Sequence, residues 1–202
     1  VKSIELDYAA SSLGAINDSF LQRIYLAACG KASTATSTVP NVRDHIRIYF
    51  PTDEAVNNSI GGPDCGGIIS LTRQYYNATT FPRECLRNYD STRRGMLSHN
   101  KLLFARGVKE NGEPFAWVYI GSANVSESAW GGQKVLKSGQ MGSLNIRNWE
   151  CGVVVPVPSE KMTELSEAEI PPMSVFEGTI EVPFVCPGQP YGDKQPWFFR
   201  AG

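Results

Sequence analysis

The chain has 202 residues, 42% of them hydrophobic and 10% aromatic, which is enough to bury one substantial core and predicts a single globular unit. Nineteen Lys and Arg against twenty Asp and Glu give a formal net charge of −1. That balance excludes attraction of nucleic acid by bulk charge, so any polyanion must be held by a local cluster.

The first residue is Val1, and "VKSIELDYAASSLGAIN" opens within strand and loop material, which reads as part of a longer protein. In "NDSFLQRIYLAACG", Phe20, Leu21, Ile24, Tyr25 and Ala28 recur at helical spacing, with Asn17 or Asp18 as N-cap and Gly30 as a stop. Residues 31–41 are small, polar and aperiodic, the composition of a surface loop. "HIRIYF" alternates, with Ile46, Ile48 and Phe50 on one face of a strand. "PTDEAVNNSIGG" predicts a short helix capped by Thr52, and "PRECLRNY" another with Pro82 in its first turn. Leu97 to Ala105 and Phe115 to Ile120 are apolar strand candidates, and Asn111-Gly112 between them favours an antiparallel hairpin. "SESAWGG" then starts a helix, "CGVVVPV" reads as a fully buried central strand, and the proline-rich remainder predicts loops and short edge strands wrapped over the sheet. Interleaved helices and strands give an α/β class.

Five scattered cysteines without a CxxC pair, beside only two histidines, suggest free or buried thiols and no zinc site. No cofactor is expected. Nor is a membrane partner, since no apolar run approaches the roughly 20 residues that cross a bilayer.

The chemistry concentrates in two stretches. In an extended segment His99 and Lys101 project to the same side, and an ammonium beside an imidazole is tolerable where a bound anion supplies the compensating charge. The second stretch, "GSANVSESAWG" from Gly121, brings Asn124, the hydroxyls of Ser122 and Ser126 and a helix start to the end of the neighbouring strand, an arrangement suited to phosphate. "HNK" followed by this stretch resembles the second H-x-K…N motif of the tyrosyl-DNA phosphodiesterases, a branch of the phospholipase D superfamily. "SSLG", "GGPDCGG", "RNWECGVVVP" and "VPFVCPGQPYGDKQPW" extend the resemblance over most of the chain. The usual superfamily Asp shortly after the Lys is absent, its place taken by Arg106.

The resemblance implies a phospholipase D-like mixed β-sheet flanked by helices, with an irregular proline-rich C-terminal region. Residues 1–202 would then form the C-terminal half of a two-domain enzyme that hydrolyses 3′-phosphotyrosyl linkages in DNA repair through a phosphohistidine. On this reading the first motif's histidine lies in the missing N-terminal half, and His99 is the general acid and base. Lys101 and Asn124 hold the non-bridging oxygens, and Glu150 orients His99 and raises its pKa. Arg93, Arg94 and the Ser12 region contact DNA phosphates. The chemistry implied needs no metal. Where the family often has Lys, this chain has Glu127, which puts a phosphate contact there in question. The implied partners are DNA 3′ ends carrying a tyrosyl peptide and the missing half, and the implied location is nuclear. Two other readings stand beside it: a homodimeric nuclease of the same superfamily in which two copies of His99 meet, and a non-catalytic DNA-binding domain of the same fold.

Overall fold

The computed structural model describes residues 1–32, 34, 38–163, 165 and 169–199. Within the predicted loop at 31–41, positions 33 and 35–37 therefore lie outside the described residues. Strand β1 (Ser3–Ala9) alternates Ile4, Leu6 and Tyr8 on one face with Glu5, Asp7 and Ala9 on the other. Helix α1 (Asp18–Ala28) starts where Asn17 Oδ1 accepts from Phe20 N at 3.0 Å, and it buries Phe20, Leu21 and Ile24. Strand β2 (Ile46–Phe50) and helix α2 (Asp53–Asn57) follow as predicted, with Thr52 Oγ1 accepting from Ala55 N at 3.1 Å. Next come α3 (Arg73–Asn77), β3 (Leu86–Asn88), β4 (Leu102–Val108), β5 (Pro114–Gly121), α4 (Glu127–Trp130) and β6 (Gly152–Pro156).

Among the described residues these strands form one sheet in the order β3-β2-β1-β4-β5-β6, parallel at β3-β2 and β2-β1 and antiparallel beyond. One face carries Leu6, Tyr8, Ile48, Phe50 and Leu103 against α1 and the loops. The other carries Phe104, Ala116 and Val118, and the chain after β6 covers it with Val157, Met162, Val175, Phe176 and Phe184. This fold is the α/β architecture expected. The tail does wrap the sheet, but as 3-10 turns and single bridges such as Ser91↔Phe184 and Thr52↔Pro196. No helix among the described residues is long and apolar enough to cross a membrane.

Three local expectations are corrected. "PRECLRNY" forms a 3-10 turn, Arg83–Cys85, and then β3, because Leu86 pairs beside Ile48 at the parallel edge of the sheet. Residues 97–101 are not in the ladder: Ala9↔Leu102 is the last pair between β1 and β4, so Ser98 to Lys101 have no strand to pair with. "CGVVVPV" is an edge, not the centre; β6 pairs with β5 alone, and Val153 and Val154 are 59% and 61% exposed. An apolar run specifies that a strand wants cover, not which neighbour provides it.

A charged cluster crosses three adjacent strands. The buried Asp7 accepts from Arg47 Nε at 2.6 Å and from Arg106 Nη2 at 2.7 Å, while Arg47 Nη1 also meets Glu5 at 2.6 Å. His45, the second histidine, places Nδ1 2.8 Å from Glu5 and belongs to this cluster.

Candidate active site

The end of β1, the start of β4, the end of β5 and the start of β6 all fall at one end of the sheet. Strand order alone therefore gathers residues 10–14, 99–101, 121–126 and 150–152. The backbone confirms the closeness: Gly121 N donates to Lys101 O at 3.2 Å, Ser122 N to Cys151 O at 2.9 Å and Gly14 N to Val125 O at 2.9 Å. Two glycines permit it. A Cβ at Gly121 would lie 2.2 Å from the Tyr119 hydroxyl, and one at Gly14 would lie 2.9 Å from Ser126 Cβ.

Lys101 is only 6% exposed. Its Nζ donates to Ser11 Oγ at 2.9 Å and to His99 O at 2.5 Å. An ammonium has three N–H groups, and among the described residues no carboxylate forms an ion pair with this one. Burial pushes its pKa down, and the charge of Glu150 works in the opposite direction. Ser11, 2% exposed, donates in turn to Asn124 Oδ1 at 3.3 Å, and Ser12 N donates to the same oxygen at 3.0 Å. Two donors on Oδ1 fix the amide's orientation and leave Nδ2 to act as a donor. Lys101, Ser11 and Asn124 thus form one hydrogen-bonded line.

His99 is exposed and tied to that line through its carbonyl. Partial burial first, and the Lys101 charge second, hold its imidazole below the ordinary pKa. The expected orienting contact from Glu150 is not made among the described residues. Glu150 instead accepts from Ser122 Oγ at 2.5 Å and from Asn148 Nδ2 at 2.9 Å, so the predicted rise in the His99 pKa is replaced by a fall. Ser126 caps α4 by accepting from Ala129 N at 3.3 Å, but that helix is a single turn. Arg93 and Arg94 are exposed and apart from this line, with Arg94 bound to Asp90 at 2.6 Å. Glu127 pairs with Arg23 at 2.7 Å.

Sequence reasoning missed two supports. Ser11 is recognisable only once β1 and β4 are in register, because the antiparallel pairing then carries the chain after Ala9 past Lys101. Tyr8, buried on β1, donates to Ala123 O at 2.7 Å and accepts from Trp130 Nε1 at 2.8 Å, clamping the turn that carries Asn124.

The sequence model of the tyrosyl-DNA phosphodiesterase family matches residues 1–192. The chain belongs to this family. Three crystal structures of yeast tyrosyl-DNA phosphodiesterase mutants share its fold at 18% identity. Two are histidine-to-asparagine forms, with TM-scores of 0.64 and 0.63 over 97% and 100% of this chain. A histidine-to-arginine form gives 0.62 over 98%. In each case this chain spans 50% of the solved chain. No curated protein sequence matches it.

In this family member Ser11→Ala is expected to lower stability by about 1–3 kcal/mol, because it strips Lys101 Nζ and Asn124 Oδ1 of one partner each in a buried setting. Urea unfolding measures it. A loss below experimental error would mean that the line is not closed in solution.

Proposed function

We propose that this chain is the C-terminal half of a two-domain tyrosyl-DNA phosphodiesterase and supplies the general acid and base for hydrolysis of 3′-phosphotyrosyl DNA. The observation that carries the reading is the buried ammonium of Lys101, held by two neutral oxygens with no carboxylate partner among the described residues. Such a charge calls for an anion. With Oδ1 of Asn124 occupied by Ser11 and Ser12, its Nδ2 is left as a donor, so a phosphodiester's non-bridging oxygens would meet an ammonium and an amide donor.

The missing half's histidine attacks phosphorus as the bond to the tyrosyl oxygen breaks, and His99 gives that oxygen its proton. A phosphohistidine remains. His99 then takes a proton from water, the new P–O bond forms, the P–N bond breaks and a 3′-phosphate leaves. The lowered His99 pKa fits this order: the arriving phosphate offsets the Lys101 charge and favours protonation once substrate is present. The charge of Glu150 partly offsets the burial that lowers the Lys101 pKa. Ser12 and Ser126 serve as phosphate contacts, Ser122 giving its hydroxyl hydrogen to Glu150, and Arg93 and Arg94 meet the DNA backbone farther out; the enzyme then works in the nucleus.

Support for a second half comes from the β6 edge, where Val153, Val154 and the fully exposed Trp149 lie beside Glu150, and from the half-length match to the yeast chains. Only one H-x-K occurs in the sequence. The isolated chain is therefore expected to leave a fluorogenic 3′-tyrosyl oligonucleotide at background, and adding the remaining half of its polypeptide should restore turnover. Robust multiple turnover by the chain alone would remove the half-site reading.

A further inference from the structure

On the other side of the His99 segment lies a cavity of about 190 Å³ that the hydrolytic reading does not use. Ser98 and Asn100 line it from that segment, Asn58 and Ser59 from the end of α2, and Asn88 and Asp90 from the end of β3. Lys101 turns the opposite way, toward Ser11. The cavity and the ammonium thus share one stretch of backbone.

Asn100 Oδ1 is buried and has no hydrogen-bond partner among the described residues. The Tyr89 hydroxyl donates to Pro183 O at 3.4 Å, so it receives Asn100 Nδ2 at 3.3 Å as an acceptor and leaves Oδ1 turned away. Ser98 Oγ accepts from Asn100 N at 3.1 Å and Ser91 Oγ accepts from Arg93 N at 3.1 Å, which frees both hydroxyl hydrogens to donate. A lone acceptor beside neutral donors is the complement of an amide group. The apolar remainder of the wall, including Met96 and Leu97, accommodates an aliphatic side chain.

We infer that this cavity binds a peptide group, and that on the proposed reading it receives the peptide attached to the scissile tyrosine. The inference rests on that reading for the source of the peptide, though not for the binding itself. A nucleic acid segment fits less well. Among the described residues no Lys, Arg or His lines the cavity, its single charged side chain is Asp90, and the Tyr89 ring packs on Phe184 instead of offering a face for a base.

The test uses the full 202-residue chain, labelled with ¹⁵N, and two probes. One is an acetylated, amidated tetrapeptide containing a tyrosine; the other is a single-stranded oligonucleotide with a 3′-phosphate. The peptide is expected to move the side-chain amide resonances of Asn58, Asn88 and Asn100 saturably. The oligonucleotide is expected to leave them in place. Asn100→Leu should raise the peptide Kd at least tenfold while the melting temperature holds or rises, since it removes an unpaired buried oxygen. Asn58→Ala, at the exposed mouth, provides a second variant whose folding is not at stake, with an expected weakening of threefold or more. Peptide shifts absent from these three amides, affinity indifferent to both variants, the same shifts with the oligonucleotide, or a cavity holding only water would overturn the inference. Loss of hydrolysis in a separate assay would strike the proposed reaction and leave these binding results standing.

Discussion

On the proposed reading, Lys101→Met in the enzyme assembled from both halves is expected to lower kcat on 3′-phosphotyrosyl DNA by about 10²–10³, with a smaller change in KM. The reason lies in when the charge is needed. Negative charge on the non-bridging oxygens grows as phosphorus becomes five-coordinate, so a fixed ammonium contributes most at that point and less in the ground state. Met matches the length of the Lys stem and removes a buried charge that has no carboxylate partner among the described residues, so stability should hold or increase while activity collapses. A third readout separates electrostatics from packing. The Lys101 charge is the second cause depressing the His99 imidazole, and its removal should shift the His99 titration upward by NMR while burial still acts. Turnover within fivefold of the parent, or a His99 titration that does not move, would show that the ammonium is not aimed at the reacting phosphate.

Much of the frame was legible in the residues because local rules and tertiary demands agree there. Asn17 and Thr52 do cap helices, Ile46, Ile48 and Phe50 do share a buried face, and the hairpin around Asn111-Gly112 does join antiparallel strands. The gathering of His99, Lys101 and Asn124 at one end of the sheet was approachable through the motif, since strand ends carry their neighbours with them. What the residues did not disclose depends on register and neighbours. Ser11 looks like any loop serine until Ala9 is seen opposite Leu102. Glu150 is near Lys101 electrostatically, yet its oxygens are taken by Ser122 and Asn148, a competition that no spacing reveals. The valines of β6 read as central because they are apolar on both faces, whereas in this chain they stand at an edge.

The second large effect concerns the sheet itself. Asp7→Asn is expected to destabilise the chain by about 3 kcal/mol, the low end of the range for breaking a buried ion cluster from one side. Asp7 is fully buried and sits between Arg47 and Arg106, and the Tyr49 hydroxyl donates to it at 3.0 Å. The amide keeps the shape but removes the charge, which leaves Arg106 without its carboxylate. Arg47 retains Glu5, and that retention keeps the loss from the top of the range. Burial by itself would raise the Asp7 carboxyl, but hydrogen bonds and charge from Arg47 and Arg106 outweigh it and hold the folded pKa below its ordinary value. A depressed carboxyl stabilises the fold fully above its unfolded pKa of about 3.9, and that stability disappears as pH falls through the lower folded value. The parent should therefore lose stability steeply in acid, and the Asn variant should lose less as pH falls below about 3.9 toward the depressed folded value. Replacing Asp7, Arg47 and Arg106 together by apolar residues of similar volume should recover most of the loss, because desolvation of three charges disappears with them. Urea unfolding across this pH series measures all three, and parallel pH profiles for parent and Asp7→Asn would show that the carboxylate is not what ties the three strands together.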